Sequence, residues 1–345
     1  MVAGGVGLGR DFMAVDALVV ILVTGLVFNS TSAIGQQEPL FESEPISIVM
    51  GGYGPPSTSF SLGLKQIGDR LEEKFGDAVN VRYVYNVMDV GFSGGSDLKW
   101  LVEAGILTLG YLTMADGVPE LELAALPFLF PDSAIARAAM DGKLGSAAAL
   151  RIEAAGPYKV LGYFENGFRH VSNNVRPIQE PDDLKGLTIR ILPVQARIFE
   201  ALGATPHAIS LLAAIDAIKE GTIDGQENPL ANTVTYGIYP YQRFHTITNH
   251  SYLSRPIFVH RPSFEAWPEA LQVEIEKAAK DAVMLQRELH DQEERAAFKI
   301  IETAGGVIHQ LTPEARAKFI QSAELIYIEA RTRYSNELLG LVNLL

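Results

Sequence analysis

Apolar residues recur along this chain in two alternating patterns, one typical of buried strands and the other of amphipathic helices. Residues 46–50 form a short apolar run that predicts a strand. Apolar residues then recur at helical spacing from Phe60 to Phe75, and the Val- and Tyr-rich segment 79–87 predicts a second strand. Because strands and helices alternate, we expect an α/β fold with a largely parallel sheet.

The same alternation continues through the rest of the sequence. Gly203 marks the end of one helix, as a glycine at a helix C-terminus commonly does. Helices are predicted at residues 96–104, 132–155, 195–202 and 210–220 and from about Pro313, and strands at residues 109–114, 159–164, 188–193 and 307–310.

One predicted helix is unusually long. Residues 269–304 contain neither Gly nor Pro, and apolar and charged residues alternate there at helical intervals. A helix of this length would extend roughly 50 Å at 1.5 Å per residue, and no heptad seam persists to indicate a coiled coil. A chain of 345 residues exceeds what one compact core usually serves, so we expect two lobes.

Composition excludes several classes of function. The 28 basic and 41 acidic residues give a formal net charge of −13, which argues against binding to nucleic acid or to an anionic membrane surface. A small anionic ligand stays compatible with this net charge, because salt screens exposed charge beyond about 8 Å. The sequence has no cysteine, which excludes a thiolate nucleophile, a disulfide scaffold, a Cys-based zinc site and a lipid-modified N-terminal cysteine.

The N-terminus resembles an export signal. Residues 17–28 are continuously apolar and are followed by small and polar residues. Such a run is too short to span a bilayer of roughly 30 Å as a helix, but it suits the apolar part of a signal peptide. We therefore expect residues 1–35 to be a signal peptide, with an uncleaved N-terminal anchor as the alternative.

Two arginines on strand-like segments are the strongest candidates for chemistry. Arg169 follows Asn166 and Gly167, and Arg190 lies in the strand predicted at residues 188–193. A guanidinium matches a carboxylate with two parallel hydrogen bonds. Two guanidiniums that project into one crevice would therefore clamp a carboxylate. The alternative for Arg190 is a structural ion pair with an acidic residue.

Six short motifs, in this order and at these spacings, resemble the solute-binding proteins of tripartite ATP-independent periplasmic (TRAP) transporters, in particular the dicarboxylate-binding, DctP-like branch. The resemblance covers roughly residues 46–337. The motifs are Leu-Pro-Phe-Leu-Phe at residues 126–130, Met-Asp-Gly at 140–142, Asn-Gly-Phe-Arg at 166–169, Thr-Ile-Arg-Ile-Leu-Pro at 188–193, Asp-Gly-Gln-Glu-Asn-Pro at 224–229 and Thr-Asn-His-Ser-Tyr at 248–252.

The resemblance implies a two-lobed periplasmic binding protein fold with one long helix across both lobes. Residues 46–166 and 255–294 would form lobe I, and residues 167–254 and 295–345 would form lobe II. A small organic acid would bind between the lobes in the periplasm, the lobes would close, and a separate membrane permease driven by an ion gradient would receive the ligand. No cofactor is implied.

The resemblance also implies roles for single residues. Arg190 would bind the ligand carboxylate, with Arg169 and Asn228 beside it, His250 would lie near the ligand, and Glu227 would orient an arginine. Tyr53 and Thr113 end predicted strands, where ligands of open α/β sheets tend to bind. The predicted ligand-binding residues are therefore Arg190, Arg169, Asn228, His250, Tyr53 and Thr113.

Other functions find less support in the sequence. No pair of histidines lies at i, i+4 and no HExxH motif occurs, so no metal site is predicted. An enzyme that used His250 or Glu227 as acid or base would lack a positioned nucleophile, metal or cofactor. A sensor that presents its closed form to a membrane receptor is the alternative to a transporter, and a binder of neutral solutes is disfavoured by the arginine pair.

The chain departs from the family pattern at two segments. Residues 93–97 lack the Glu-Arg pair that the family often has there, and residues 210–215 lack the family's aromatic and acidic residues. The carboxylate end of the site is thus preserved, whereas the far end is altered and more apolar. These changes predict a monocarboxylate with a less polar body rather than a C4-dicarboxylate.

Overall fold

A mixed β-sheet runs through residues 44–345, the part of the chain that the computed structural model describes. The predicted signal peptide lies outside the described residues. The strands are β1 (Ile46–Gly51), β2 (Val79–Val84), β3 (Leu109–Tyr111), β4 (Tyr158–Asn173), β5 (Thr188–Arg190), β6 (Thr205–His207), β7 (Gly225–Asn228), β8 (Phe244–His260) and β9 (Val307–Gln310). They lie in the order β2-β1-β3-β8-β4-β7-β5-β6, and β9 pairs with β8.

Helices pack around this sheet. Within residues 44–345, none of them combines the length and the apolar character that crossing a membrane requires. The helices are α1 (Ser59–Phe75), α2 (Gly95–Glu103), α3 (Pro119–Ala124), α4 (Ser133–Asp141), α5 (Lys143–Ala155), α6 (Ala196–Ala201), α7 (Leu211–Glu220), α8 (Leu230–Thr235), α9 (Arg261–Ala266), α10 (Glu269–Thr303), α11 (Pro313–Ser322), α12 (Glu324–Arg333) and α13 (Asn336–Gly340).

The sheet is parallel towards both ends and antiparallel in the centre. β1 pairs in parallel with β2 and β3. We call these three strands the first half of the sheet. β5 pairs in parallel with β6 and β7, and these three strands with β9 form the second half. Between the halves, β4 and β8 run antiparallel to each other. The strands within each half are therefore parallel, as predicted. The sheet as a whole is mixed because its two long central strands, β4 and β8, are antiparallel.

β4 and β8 cross from one half of the sheet to the other. β8 pairs with β3 near its C-terminal end and with β9 near its N-terminal end, and the last four residues of β4 pair with β7. The strand predicted at residues 159–164 is therefore much too short. The β4–β8 register shifts at three places, one of them at Gly167, whose φ of 87° favours glycine. These bulges interrupt the alternation of apolar and polar residues, which hides the strand in the sequence.

The long helix α10 connects the two halves. It packs against α1 and β4 and also against α8 and β9. The Glu293 carboxylate accepts the backbone N–H of Ser59, which opens α1, at 2.5 Å. The adjacent Glu294 carboxylate accepts the N–H of Ala231 in α8 at 2.8 Å. Two neighbouring acids on one helix thus cap helices that belong to opposite halves.

The Ala-rich segment predicted as one helix over residues 132–155 is two helices. α4 ends and α5 begins around Gly142, whose φ of −101° and ψ of −145° are not helical. Glycine is a poor helix former because it has the most backbone freedom to lose. The composition of the segment therefore predicted helix correctly and missed the break.

Replacement of Glu294 by Gln should change how stability depends on pH. Burial raises the pKa of Glu294 from 4.5 to about 7, so the folded chain holds a proton that the unfolded chain has released. This contribution to stability is fully present below pH 4.5 and is lost as the pH rises through about 7. We expect the free energy of unfolding of the wild type to fall relative to that of Glu294→Gln over this interval, measured by chemical denaturation. Glu302→Gln, at an exposed position of the same helix, is the control, and parallel pH dependences of the wild type and Glu294→Gln would contradict the assignment.

Candidate ligand-binding site

A cavity of about 610 Å³ lies where the two halves of the sheet meet. Its volume is within the range of ordinary small-molecule sites. The wall combines residues that follow β1 and β3 with residues of β5 and β7. Five of the six predicted ligand-binding residues line it together, namely Arg169, Arg190, Asn228, Tyr53 and Thr113.

Arg169 is held rigidly by two neighbours. Its side chain is 1 % exposed, and its Nε forms an ion pair with the Glu227 carboxylate. Nη2 donates to the Glu227 backbone carbonyl at 2.7 Å, and Nη1 donates to Asn166 Oδ1 at 2.9 Å. Burial acts to raise the pKa of Glu227, but the Arg169 guanidinium and His250 together lower it to about 2. The carboxylate therefore stays charged and fixes the guanidinium in the cavity wall.

Arg190 lacks such a partner. It lies at the end of β5, and its Nε and Nη2 donate to the backbone carbonyl of Ile209 at 3.3 and 3.2 Å. Burial lowers its pKa, although the guanidinium stays charged at any physiological pH. Among residues 44–345, no carboxylate forms an ion pair with Arg190, so the structural ion pair considered as the alternative is not found. Its charge is available to an anion in the cavity.

Glu227 also sets the position of the Arg190 strand. Its Oε1 accepts the backbone N–H of Leu192, two residues after Arg190, at 3.0 Å. The same carboxylate therefore holds the Arg169 guanidinium and the segment that follows Arg190. This double contact fixes the two guanidiniums relative to each other before any ligand arrives.

Asn228 presents a fixed amide to the cavity. Its Nδ2 donates to Gln226 Oε1 at 3.1 Å, and its Oδ1 accepts from Asn232 Nδ2 at 3.2 Å. These two contacts orient the amide and use only one of its two N–H groups. Asn232 lines the cavity as well, although the sequence analysis did not select it.

His250 is close to the site but does not line the cavity. Its Nδ1 lies 2.7 Å from the Thr248 hydroxyl, and its Nε2 lies 3.5 Å from Glu227 Oε2. The ring of Phe199 packs edge-on against it. The imidazole is almost fully buried, and burial lowers its pKa although Glu227 acts in the opposite direction. His250 therefore lies beside the Glu227 carboxylate and outside the cavity wall.

Tyr53 and Thr113 lie on the opposite wall, after the first-half strands β1 and β3. The ring centroid of Tyr53 is 5.4 Å from that of Tyr111. Burial raises the pKa of Tyr53 to about 12 against the opposing effect of Arg255, so the phenol stays protonated and can donate. Thr113 is only half-buried. These residues provide neutral hydrogen-bonding groups at the far end of the cavity.

Arg255 lines the cavity too, and the sequence analysis missed it. It lies on β8 opposite Phe164, is 4 % exposed, and stacks on aromatic rings. The signal in the sequence was a single arginine within the otherwise apolar run that precedes His260. The two altered segments predicted a more apolar far end, but the cavity wall there also contains the charged Arg255. Both of those segments do contribute to the wall, through residues 93–96 and through Ser210 and Leu211.

The fold and this cavity define a two-lobed periplasmic binding protein. A solved TRAP periplasmic solute-binding protein from Sulfurospirillum deleyianum with bound succinate superposes with a TM-score of 0.80 at 25% sequence identity. The superposition covers 87% of this chain and 99% of that chain. The predicted fold class is thereby confirmed. Among residues 44–345, no group of three His, Cys, Asp or Glu side chains is placed to hold a metal ion.

The family model for "Bacterial extracellular solute-binding protein, family 7" matches residues 95–333, and the chain belongs to this family. A solute-binding protein of Verminephrobacter eiseniae is 33% identical over 201 residues, which span 58% of this chain and 60% of that protein. The C4-dicarboxylate-binding periplasmic protein DctP of Rhodobacter capsulatus is 28% identical over 315 residues, 87% of this chain and 91% of that protein. The predicted family, the solute-binding proteins of TRAP transporters, is thereby confirmed.

Loss of the Glu227 charge should destabilise the ligand-free protein. Glu227→Gln leaves the Arg169 guanidinium buried without its counter-ion, which typically costs about 3–5 kcal/mol. Chemical denaturation without ligand measures this loss. Glu329→Gln is the matched control, because Glu329 pairs with Arg197 at an exposed position where such a pair contributes about 0–1 kcal/mol. Equal stability of the two variants would show that the Arg169–Glu227 pair does not hold the site together.

Proposed function

We propose that this protein captures a small organic acid in the periplasm and delivers it to a TRAP membrane permease, with Arg190 as the anchor of the ligand carboxylate. The observation that carries the proposal is the environment of Arg190. Arg190 is 5 % exposed and lines the cavity, and within residues 44–345 its guanidinium donates to a single backbone carbonyl. A buried cation of this kind gains most from an anion that accepts two parallel hydrogen bonds.

The other predicted residues then have separate roles. Arg169, already neutralised by Glu227, contributes directed N–H groups rather than a free charge. Asn228 donates through its remaining amide N–H, and Tyr53 and Thr113 contact the ligand from the opposite wall. His250 acts through Glu227 by holding that carboxylate against the Arg169 guanidinium, because it does not reach the cavity itself.

Closure of the two lobes follows from the same geometry. The predicted lobe boundary after residue 166 falls at the β4 bulge that contains Gly167. Gly167 pairs with Leu253 on β8, and the second predicted boundary, after residue 254, is therefore close to the first. The third predicted boundary lies on α10 directly after Glu293 and Glu294, the two acids that cap α1 and α8. Bending at these three adjacent places would move the lobes as rigid bodies. The ligand drives closure only as far as it binds the closed form more tightly.

Transport rather than sensing is supported by the relatives. The Rhodobacter capsulatus relative is named as a periplasmic C4-dicarboxylate-binding protein, and the Sulfurospirillum deleyianum structure holds succinate. Both names describe capture of a carboxylate outside the cytoplasm, which agrees with the export signal predicted at residues 1–35. No contact among residues 44–345 favours a receptor over a permease as the recipient of the closed form.

Replacement of Arg190 by Met should abolish both binding and closure. Removal of one partner from a buried charge pair typically costs 2 kcal/mol or more, so we expect affinity for any bound acid to fall by at least about 30-fold. A thermal-shift screen against organic acids finds the ligand, since ligand at about 100 times its Kd adds near 2.7 kcal/mol of stability. Calorimetry then measures affinity, and small-angle X-ray scattering measures closure.

The exposed Arg197 supplies the matched control, because Arg197→Met removes an arginine that does not line the cavity. We expect this variant to bind and close like the wild type. Wild-type affinity in Arg190→Met would refute Arg190 as the carboxylate anchor. A thermal shift with neutral solutes and none with acids would refute the proposed ligand class.

A further inference from the structure

The cavity has a buried floor and an exposed rim. Arg169, Arg190 and Asn228 are buried and belong to the floor. We call the exposed lining residues the rim. Those of the predicted lobe I are Ser93, Ser96, Lys99, Asp116, Gly117 and Ala155, and those of the predicted lobe II are Pro193 and Ser210. Solvent therefore reaches the cavity between segments that belong to opposite lobes.

Leu211 of lobe II lies over a glycine of lobe I at this rim. Gly94 is buried although Ser93 and Ser96 near it are exposed. A Cβ at Gly94 would lie 3.9 Å from Leu211 Cβ, which is an ordinary contact distance between apolar groups. Leu211 is half-buried, and it lines the cavity as Gly94 does. The two lobes therefore approach each other closely at the rim through apolar groups.

The segment at residues 93–95, which we call the glycine loop, is fixed on its own lobe. One oxygen of the Asp97 carboxylate accepts the Ser93 backbone N–H at 2.7 Å and the Ser93 hydroxyl at 2.9 Å. The other oxygen accepts Trp100 Nε1 at 3.3 Å. Gly94 has a φ of 138° and a ψ of −154°, a conformation that is essentially restricted to glycine. The glycine loop therefore presents a held backbone without a side chain to Leu211.

Leu211 is fixed as well, and its segment also contacts Arg190. Leu211 is the first residue of α7, and the Ser210 hydroxyl caps this helix by accepting the Ala213 backbone N–H at 3.3 Å. The backbone carbonyl of Ile209, two residues before Leu211, accepts from the Arg190 guanidinium. The side chain that approaches the opposite lobe is therefore linked through a short segment to the proposed carboxylate anchor.

Charge contributes little to the approach of the lobes at the rim. Lys99 and Asp116 carry opposite charges on the lobe I side, and the exposed rim residues of lobe II, Pro193 and Ser210, are uncharged. Salt also screens exposed charges over about 8 Å. An apolar contact at Leu211 does not depend on charge, and it gains free energy only when the lobes approach and exclude water from it.

We propose that Leu211 retains the ligand, because its contact with the glycine loop seals the rim after the lobes close and sets how long a bound acid stays. The inference rests on the proposed function, since it takes closure of the lobes around an acid at Arg190 as given. The two segments involved are those at which the chain departs from the family pattern, residues 93–97 and 210–215. The seal gives both departures a common role.

A pair of introduced cysteines tests the contact without any ligand, because the chain has no cysteine of its own. The separation of 3.9 Å between the two Cβ positions suits a disulfide. In Gly94→Cys with Leu211→Cys, we expect oxidation to join the lobes within one monomer. Small-angle X-ray scattering should then show the closed form, and dithiothreitol should reopen it. Gly94→Cys with Leu212→Cys, at the exposed next position, is the control and should cross-link at least about tenfold more slowly.

Failure of the folded Gly94→Cys, Leu211→Cys variant to cross-link overturns the proposal, as does equal cross-linking of the control pair. A side chain strains the backbone at Gly94, so a second pair covers the case in which this variant does not fold. Ser93→Cys with Leu211→Cys is joined by a short bis-maleimide, and absence of that product in the folded protein overturns the proposal.

Leu211→Ala tests retention. We expect it to speed dissociation of a bound acid about tenfold, because it removes apolar groups that are fully covered only after closure, and to change association less than about threefold. Stopped-flow fluorescence measures both rates with succinate, D-galacturonate and D-galactonate as probes. Leu212→Ala is the matched control and should leave both rates unchanged. A wild-type dissociation rate in Leu211→Ala overturns the proposal. So does an effect confined to one of several bound acids, since this would indicate a direct contact with that acid.

The outcomes separate the seal from the proposed function. If Arg190→Met abolishes binding while Leu211→Ala dissociates like the wild type and the cysteines stay apart, the proposed function stands and the seal is refuted. If none of the probe acids binds to the wild type, or Arg190→Met binds them equally well, the carboxylate anchor fails. The cross-link and the scattering of the cross-linked protein then still decide whether Leu211 and the glycine loop close the rim.

Discussion

The antiparallel pairing of β4 with β8 is the constraint on which the rest of the structure depends. These two strands run through both halves of the sheet, and their ladder satisfies backbone groups along a centre from which water is largely excluded. The ladder is interrupted by bulges, and the cavity forms beside them. Arg169 on β4 and Arg255 on β8 both line this cavity. The backbone register of one strand pair therefore decides where two of the three cavity guanidiniums lie.

Local charge outweighs the net charge of the molecule in this cavity. The chain carries a formal charge of −13, yet exposed acids are screened over about 8 Å. Three guanidiniums line the cavity together with Lys99 and Asp116, and the buried Glu227 carboxylate beside the wall pairs with one of them, Arg169. The surplus of positive charge is felt at short range in a poorly hydrated space, where it is strongest. An acidic protein can thus select an anion.

The elements that the sequence predicted well are those whose signals are local. α1 was evident from its apolar spacing, α10 was evident from the absence of Gly and Pro, and β5 was found because its strand pattern surrounds Arg190. The prediction covered only part of β4, because the bulges of this strand interrupt the alternation of apolar and polar residues from which strands are predicted. Arg255 was missed for a different reason. Its surroundings depend on the rings of Tyr53, Phe60 and Tyr111, which come from three separate segments, and a linear pattern does not contain that proximity.

The distribution of the cavity residues over both halves has a consequence for closure. A ligand can shift an equilibrium between open and closed forms only by its difference in affinity for them. A ligand held at Arg190 alone interacts mainly with the second half, and that contact is nearly the same in both forms. Contacts with both halves can be completed only when the halves approach. Since Glu293 and Glu294 already tie α10 to both halves near the bulges, the motion is confined to bending there. Because residues of both halves line the cavity, a ligand that contacts both walls favours the closed form.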